Sequence, residues 1–361
     1  MKEIGKIKFV PKEKTNFFFT LRTRVDNYFR ENNISKNADS SMVVKTLVLL
    51  IVYLVPFILI LTAGFPWWGN MLLWALSGLG MAGIGMCVMH DANHGAYSSN
   101  RYVTMILSHT LNLLGGSVFN WKLQHNVLHH TYTNIVDMDE DIDDKLILRF
   151  SPHTKVKPIQ KLQVVYAFIL YGILTFYWVT AKDLVQFIKY TGNKVNTNSQ
   201  KQNIITVLKI SLGKIIYFFL VLFVPVYFCH LSFLQVFTGF MLMHFLAGLI
   251  LTVVFQLAHT VEGTSHPLPD ENGVIDNDWS IHQMNTTVNF SRKNKFISWY
   301  VGGLNFQVEH HLFPRICHVH YPEIAHIVKQ TAEEYGVPYL ENQTLAEALK
   351  SHVITLRRFG G

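Results

Sequence analysis

The sequence predicts an all-α integral membrane protein, with four transmembrane helices in two hairpins, interfacial helices and a cytoplasmic helical cap. Three observations lead there. Half of the 361 residues are hydrophobic, only 15% are charged and 13% are aromatic, a balance displaced from soluble proteins toward the bilayer. Several apolar runs approach the roughly 20 residues that a spanning helix needs. Histidines gather at the edges of those runs, as His90-Asp91-Ala92-Asn93-His94, His125-Asn126-Val127-Leu128-His129-His130 and Gln307-Val308-Glu309-His310-His311.

The polar segment Met1 to Lys45 comes first and has no signal-peptide pattern, so it is expected to stay on the mature chain. The first hairpin, residues 46–89, joins the runs Thr46 to Ala63 and Trp67 to Met89 through a turn with Gly64 and Pro66. Residues 90–209 hold the first two histidine clusters and two shorter apolar stretches, Tyr102 to Val118 and Leu162 to Val179. If the clusters serve one site, an even number of crossings must separate them, so these two stretches read as interfacial or re-entrant. The second hairpin, residues 210–258, joins Ile210 to Phe228 with Phe233 to Ala258, and Lys214 is expected to snorkel to the interface. Residues 259–361 form a polar cap with helices expected around Tyr321 to Tyr335 and Leu345 to Leu356. No repeat or low-complexity tract interrupts this single domain.

Charge assigns the sides. Met1 to Lys45 carries ten Lys or Arg, while the hairpin turns Gly64 to Asn70 and Cys229 to Ser232 carry none, so both termini and all three clusters are expected in the cytoplasm. The net charge of +7 reflects this orientation, although it also suits acidic head groups or a phosphate-bearing substrate. Cys87, Cys229 and Cys317 lack CxxC spacing and read as packing residues.

The clusters point to metal chemistry. Imidazole suits iron, copper, zinc and nickel, and helical i, i+4 spacing presents two ring nitrogens to a common ion. His90, His94, His125, His129, His130, His310 and His311 are too many ligands for one ion and about right for two. His259 is a further candidate, because the last span delivers it to the same edge. Gln307 stands where an HxxHH pattern would begin, and its amide oxygen can ligate a hard ion or hold a water. His109, His230 and His244 lie within apolar segments or at their far ends, where packing or a backbone hydrogen bond is expected. A zinc hydrolase would show fewer ligands and an HExxH carboxylate. Nitrogen-rich iron with open positions instead suits oxygen activation, and a membrane enzyme with that power acts on lipid chains.

HDANH, HNVLHH and QVEHH, with Gly303-Leu304-Asn305-Phe306 before the third box and Leu312-Phe313-Pro314 after it, resemble the membrane fatty acid desaturase family. The resemblance runs from Phe17 to Tyr339. The Gln of the third box is similar to the front-end branch, and the whole pattern to bacterial acyl-CoA or linoleoyl-CoA desaturases. It implies four spans beneath a cap and a diiron centre held by His90, His94, His125, His129, His130, His259, His310 and His311, with Gln307 where other branches have histidine. It further implies a bacterial inner membrane, an acyl-CoA or acyl-lipid substrate, O2 and two electrons. No HPGG haem motif is present, since His266-Pro267 is followed by Leu268-Pro269, so a separate ferredoxin or cytochrome b5-like carrier is expected as donor. A nucleic-acid partner is not.

A lipid or alkane hydroxylase would share such boxes, whereas a metal transporter or a histidine-lined membrane receptor would spread its ligands through the bilayer midplane. The acidic run Asp137 to Asp144 reads as a solvated loop or a docking patch for the electron donor. Asp91 and Asn93 are candidates for orienting ligand rings, and Trp121 for lining an acyl tunnel or anchoring at the interface.

Overall fold

A computed structural model describes residues 7–13, 15–142 and 147–361. Lys2, Lys6 and Lys14 of the basic N-terminal set, and Asp143 and Asp144 of the acidic run, lie outside the described residues. Helix dominates, and two short parallel strand pairs stitch the cap: Lys8–Phe9 with Val274–Ile275, and Asn289–Phe290 with Glu341–Asn342.

Among the described residues, five helices are long and apolar enough to cross a membrane: Ser40–Thr62, Trp67–His94, Pro158–Gly192, Gln200–Tyr227 and Phe233–His259. Asp39 starts the first by accepting from Met42 N at 2.9 Å. Met42, Leu49, Tyr53 and Ile60 of this helix are buried, while Leu47, Ile51, Val55 and Ile58 form an exposed apolar stripe. Such a stripe is unfavourable against water and suited to lipid tails.

The second and fifth helices lie side by side and parallel, because glycine lets their backbones meet. A methyl on Gly78 would fall 2.7 Å from Met243 O, and Gly85, seven residues on, meets the side chain of Leu251, eight residues past Met243. Constant register carries both helices to the same end, where His94 and His259 emerge. A 28-residue helix such as Trp67–His94 is about 42 Å long, beyond the ~30 Å of the hydrocarbon layer. Its last turns, with His90 and His94, can therefore clear the apolar slab.

The structure bears on three expectations and overturns the last of them. Leu162 to Val179 belongs to the 35-residue helix Pro158–Gly192, which is long and apolar enough to cross. It crosses the fifth helix closely, where a methyl on Gly248 would sit 2.7 Å from Gly172 O. Yet both of its ends meet the cap side: Gln163 Nε2 donates to Leu356 O at 2.6 Å, and Gln186 Nε2 to Gln124 Oε1 at 2.7 Å. Second, Tyr102 to Val118 is broken into Arg101–Ser108 and Thr110–Leu113, followed by Gly115 at φ +83°. It dips to mid-depth of the first hairpin, where Tyr53 Oη donates to Leu113 O at 3.1 Å, a re-entrant path.

Third, Lys214 does not snorkel. Its helix starts at Gln200, ten residues earlier than the apolar run suggests, which places Lys214 inside the bundle. There its ammonium meets Asp183 Oδ2 at 2.8 Å and donates to Trp178 O and Val179 O. A counter-ion and two carbonyls replace the water that a buried cation needs.

In the cap, Phe17, Leu21, Val25 and Phe29 form the buried stripe of Phe17–Glu31, which packs on Tyr321, Ile324, Val328 and Ala332 of Tyr321–Glu334. The same cluster takes in Val308 and Leu312 of the short third-box helix Gln307–Leu312. The helix expected near Leu345 to Leu356 runs Leu345–Gly360. His244 bonds to Tyr217, and His109 Nδ1 donates to Met105 O, as their apolar settings suggested. Cys87, Cys229 and Cys317 are free thiols.

Candidate metal centre

Seven of the eight candidate histidines divide into two buried groups. The first is His90, His94, His125 and His310, and the second is His129, His259 and His311. His130 stands between them, grouped with His310 and His311 and with its Nε2 3.2 Å from His125 Nε2. His90 Nε2 approaches His125 Nε2 equally closely, at 3.2 Å.

The i, i+4 rule holds for the first box and fails for the second. His90 and His94 share one group on an α-helical turn, Met89–His94. Residues Lys122–His129 instead form a π-helix, whose wider turn brings i and i+5 together. His125 therefore faces His130, while His129 turns to the second group. In the third box, adjacent His310 and His311 point to different groups because neighbouring residues on a helix diverge. A second π-helical stretch, Ile84–Val88, immediately precedes the first box.

Each anchored ring is held at one nitrogen and left open at the other. His129 Nδ1 lies 3.1 Å from Asp139 Oδ2 and His259 Nδ1 3.2 Å from Thr286 O. His310 Nδ1 lies 3.2 Å from Tyr321 Oη and His311 Nδ1 2.8 Å from Gln283 Oε1. The Nε2 atoms of His94, His129, His259, His310 and His311 are buried without a hydrogen-bond partner, as is Nδ1 of His90 and of His130. Buried polar atoms seldom stay unpaired, and Nδ1–H donation to an oxygen fixes the tautomer whose Nε2 lone pair faces a metal. The donor set thus fits borderline cations such as iron.

Burial first, and neighbouring imidazoles second, lower the pKa of His125, His130, His310 and His311, keeping them neutral and able to ligate. His129 is opposite in sign. Burial lowers it, but Asp139 and Asp141 together raise it, and the field that favours a proton there also favours a metal cation.

Gln307 is fully buried with both amide atoms unpartnered, one turn before His310 and His311 on their helix. Glu309 of the same box turns away, accepting from Asn289 Nδ2 and Tyr339 Oη at 2.8 Å each. Asn93 does not orient a ring, since its amide donates to Met89 O. Asp91 approaches His90 Nδ1 only to 3.7 Å and mainly accepts from His318 Nδ1 at 2.8 Å and from the Cys317 thiol.

The acidic run is neither a solvated loop nor a surface patch over its middle. Asp139 holds His129 and the Asn134 backbone, Glu140 pairs with Lys189 at 2.7 Å, and Asp141 accepts from Gln124 at 2.8 Å. Only Asp137 of its described carboxylates is exposed. Asp139 is a site residue that the pattern alone did not single out, although its place ten residues after His129 was a signal. Gln283, Thr286 and Tyr321 gave none.

A cavity of about 660 Å³ opens beside the first group, lined by His90, His125 and Trp121 at one part and by Met81, Leu114, Leu174 and Leu251 at another. This size lies within the usual range for ligand sites. Trp121 thus lines the cavity.

Residues 66–343 match the family model described as fatty acid desaturase. The chain is 35% identical over 359 residues to the sn-1 linoleoyl-lipid 6-desaturase of Synechocystis sp., covering 98% of each chain. It is 34% identical to the enzyme of that name from Arthrospira platensis, over 94% of this chain and 91% of the relative. With the acyl-lipid (8-3)-desaturase of Physcomitrium patens it shares 32% identity over 98% of this chain and 74% of the relative. Buried histidine clusters, an adjoining apolar cavity and these matches agree that the chain belongs to the fatty acid desaturase family and is an oxidoreductase acting on fatty acyl chains.

Proposed function

We propose that this protein introduces a cis double bond into the acyl chain of a membrane lipid at a centre of two iron ions, with O2 and two electrons from a separate carrier. The observation that carries the reading is the pair of histidine groups whose open, unpartnered ring nitrogens adjoin an apolar cavity. His90, His94, His125 and His310 would hold one ion. His129, His259 and His311 would hold the other, with His130 between the two and Gln307 beside them through its amide or a water. Iron bound there supplies the oxidising power to take hydrogen from unactivated C–H bonds.

The chain's own residues do the positioning. Leu251, Leu174, Leu114 and Met81 offer an acyl chain an apolar path that keeps water out, and Trp121 and Met89 hold the passing carbons beside His90 and His125. Asp139, Thr286, Tyr321 and Gln283 keep the ligand rings aimed before any metal arrives. Two electrons must come from outside, because O2 takes four on becoming water and the substrate gives two. The relatives' names favour a lipid-borne chain over a free thioester.

The whole chain acts as one domain in this reading. Ser40–Thr62, Trp67–His94, Gln200–Tyr227 and Phe233–His259 make four crossings, with termini and metals in the cytoplasm. Pro158–Gly192 returns to the side it left, in keeping with the cap contacts at both of its ends.

Lipid profiling of cells that express the protein in a desaturase-free background tests the activity. The expected product has lost two hydrogens. An added oxygen would make the protein a hydroxylase, and an unchanged profile with iron and donor supplied would overturn the reading.

A further inference from the structure

A second cavity, of about 510 Å³, lies in the cap away from the histidine groups. Arg149, His153, His266 and Arg358 line it, and none of its described lining residues is acidic. Arg149 is only 6% exposed, so its charge is buried. Its guanidinium is fixed by carbonyls: Nε donates to Thr154 O at 2.9 Å, Nη2 to Pro152 O at 2.7 Å and to Thr154 O at 2.6 Å, and Nη1 to Phe359 O, which leaves one N–H of Nη1 for a ligand. Among the described residues no carboxylate lies within ion-pair distance of it. A buried cation without a counter-ion is costly, and one held rigid by carbonyls is preorganised to receive an anion. His266 adds an independent sign, because its Nε2 is buried and has no partner.

One flanking segment agrees in charge. From Ile147 to Lys182 the sequence contains five Lys or Arg and no Asp or Glu. Lys155, Lys161 and Arg357 are exposed around this part of the cap. The two cavities also share a wall. Leu148 and Phe150 line the cavity beside the metals, and Arg149, between them, lines the basic one.

We propose that the cap cavity binds the phosphate of the acyl carrier, so that the substrate is an anionic amphiphile with its phosphate on Arg149, Arg358 and His266 and its chain across the wall beside the histidines. This inference rests on the desaturase reading and narrows its substrate class. Phosphate suits the site because its several oxygens can accept from two guanidinium groups and an imidazole together. A glycerophospholipid and a CoA thioester both offer that group.

The test uses the full iron-loaded chain in lipid nanodiscs, with one acyl chain presented on phosphatidylglycerol, on a neutral galactolipid and as a CoA thioester. Arg358→Gln and His266→Gln are the variants, since Arg358 is exposed and His266 half-buried, and Arg149→Gln risks misfolding. Losing one charged hydrogen bond should lower kcat/KM for the phosphate-bearing carrier, relative to the galactolipid, about tenfold. Which carrier shows the drop identifies the source of the phosphate. Inorganic phosphate should raise the unfolding temperature of the parent chain above a chloride control of equal ionic strength, and less so in either variant. Equal ratios in parent and variants, with no phosphate-specific shift, would overturn the proposal. Absence of unsaturated product from every carrier would instead remove the desaturase reading, while the phosphate shift still judges the cavity.

Discussion

Asp139 Oδ2 lies 3.1 Å from His129 Nδ1, both side chains essentially shut off from solvent, and the same carboxylate oxygen accepts from Asn134 N at 3.0 Å. This contact orients a ring whose other nitrogen faces His259 and His311. Asp139→Asn should therefore weaken metal binding roughly 10- to 100-fold, as loss of an outer hydrogen-bond partner does elsewhere. Iron content and turnover should fall together, while the apparent KM for the electron carrier stays put. A changed carrier KM with full iron would return this carboxylate to a docking role.

The split of the histidines into two groups predicts separable losses. His94→Ala should deplete the ion of the first group and His259→Ala that of the second, each leaving about one iron per chain rather than two and abolishing desaturation. Iron analysis of purified variants, with Mössbauer spectra to show whether a single mononuclear species remains, distinguishes this from general unfolding. Full iron in His259→Ala would remove it from the ligand set.

Lys214 and Asp183 should behave as a buried couple. Lys214→Met strands a carboxylate and should cost about 3–5 kcal/mol, whereas the double change Lys214→Met with Asp183→Leu should recover most of it. Thermal unfolding of the four proteins in one detergent measures the coupling. Additive losses would mean that the pair is not one electrostatic unit.

Glu140 gives a pH dependence. Burial raises its pKa, but Lys189, Gln186 and Tyr190 outweigh that and hold it below the ordinary glutamate value of 4.5. A lowered folded pKa means that its stabilisation is complete above about 4.5 and fades as the pH falls through the lower folded value. Glu140→Gln should flatten the acid limb of the stability curve and change little at neutral pH beyond a constant offset. An identical acid limb in both proteins would show that other carboxylates govern it.

Much of this was readable in the chain because it follows from composition and spacing. The apolar runs predicted Phe233–His259 almost to the residue, and the boxes, with the end of that span, named the eight histidines that the fold gathers. Other features depend on partners far away in sequence. Lys214 looked like a snorkelling residue because its acid, Asp183, lies 31 positions earlier, in a helix whose course the apolar pattern left open. The acidic run looked solvated because charge runs usually are, and its inward turn depends on His129, Gln124 and Lys189 being placed to receive it. The separation of His125 from His129 was hidden because a pattern of letters does not reveal the pitch of the helix that carries them.

A π turn amounts to one surplus residue accommodated in a helix, and the second box is built on one. Removing a single residue between Lys122 and His125, with every histidine intact, would let ordinary pitch return and swing the following side chains by roughly 100°. His125 and His130 would then part, and the two histidine groups would lose the imidazoles across which they meet. The helix's residue count here is as much a part of the metal centre as the ligands themselves, so a one-residue gap in an alignment at this point marks a change in chemistry even where all the boxes appear complete.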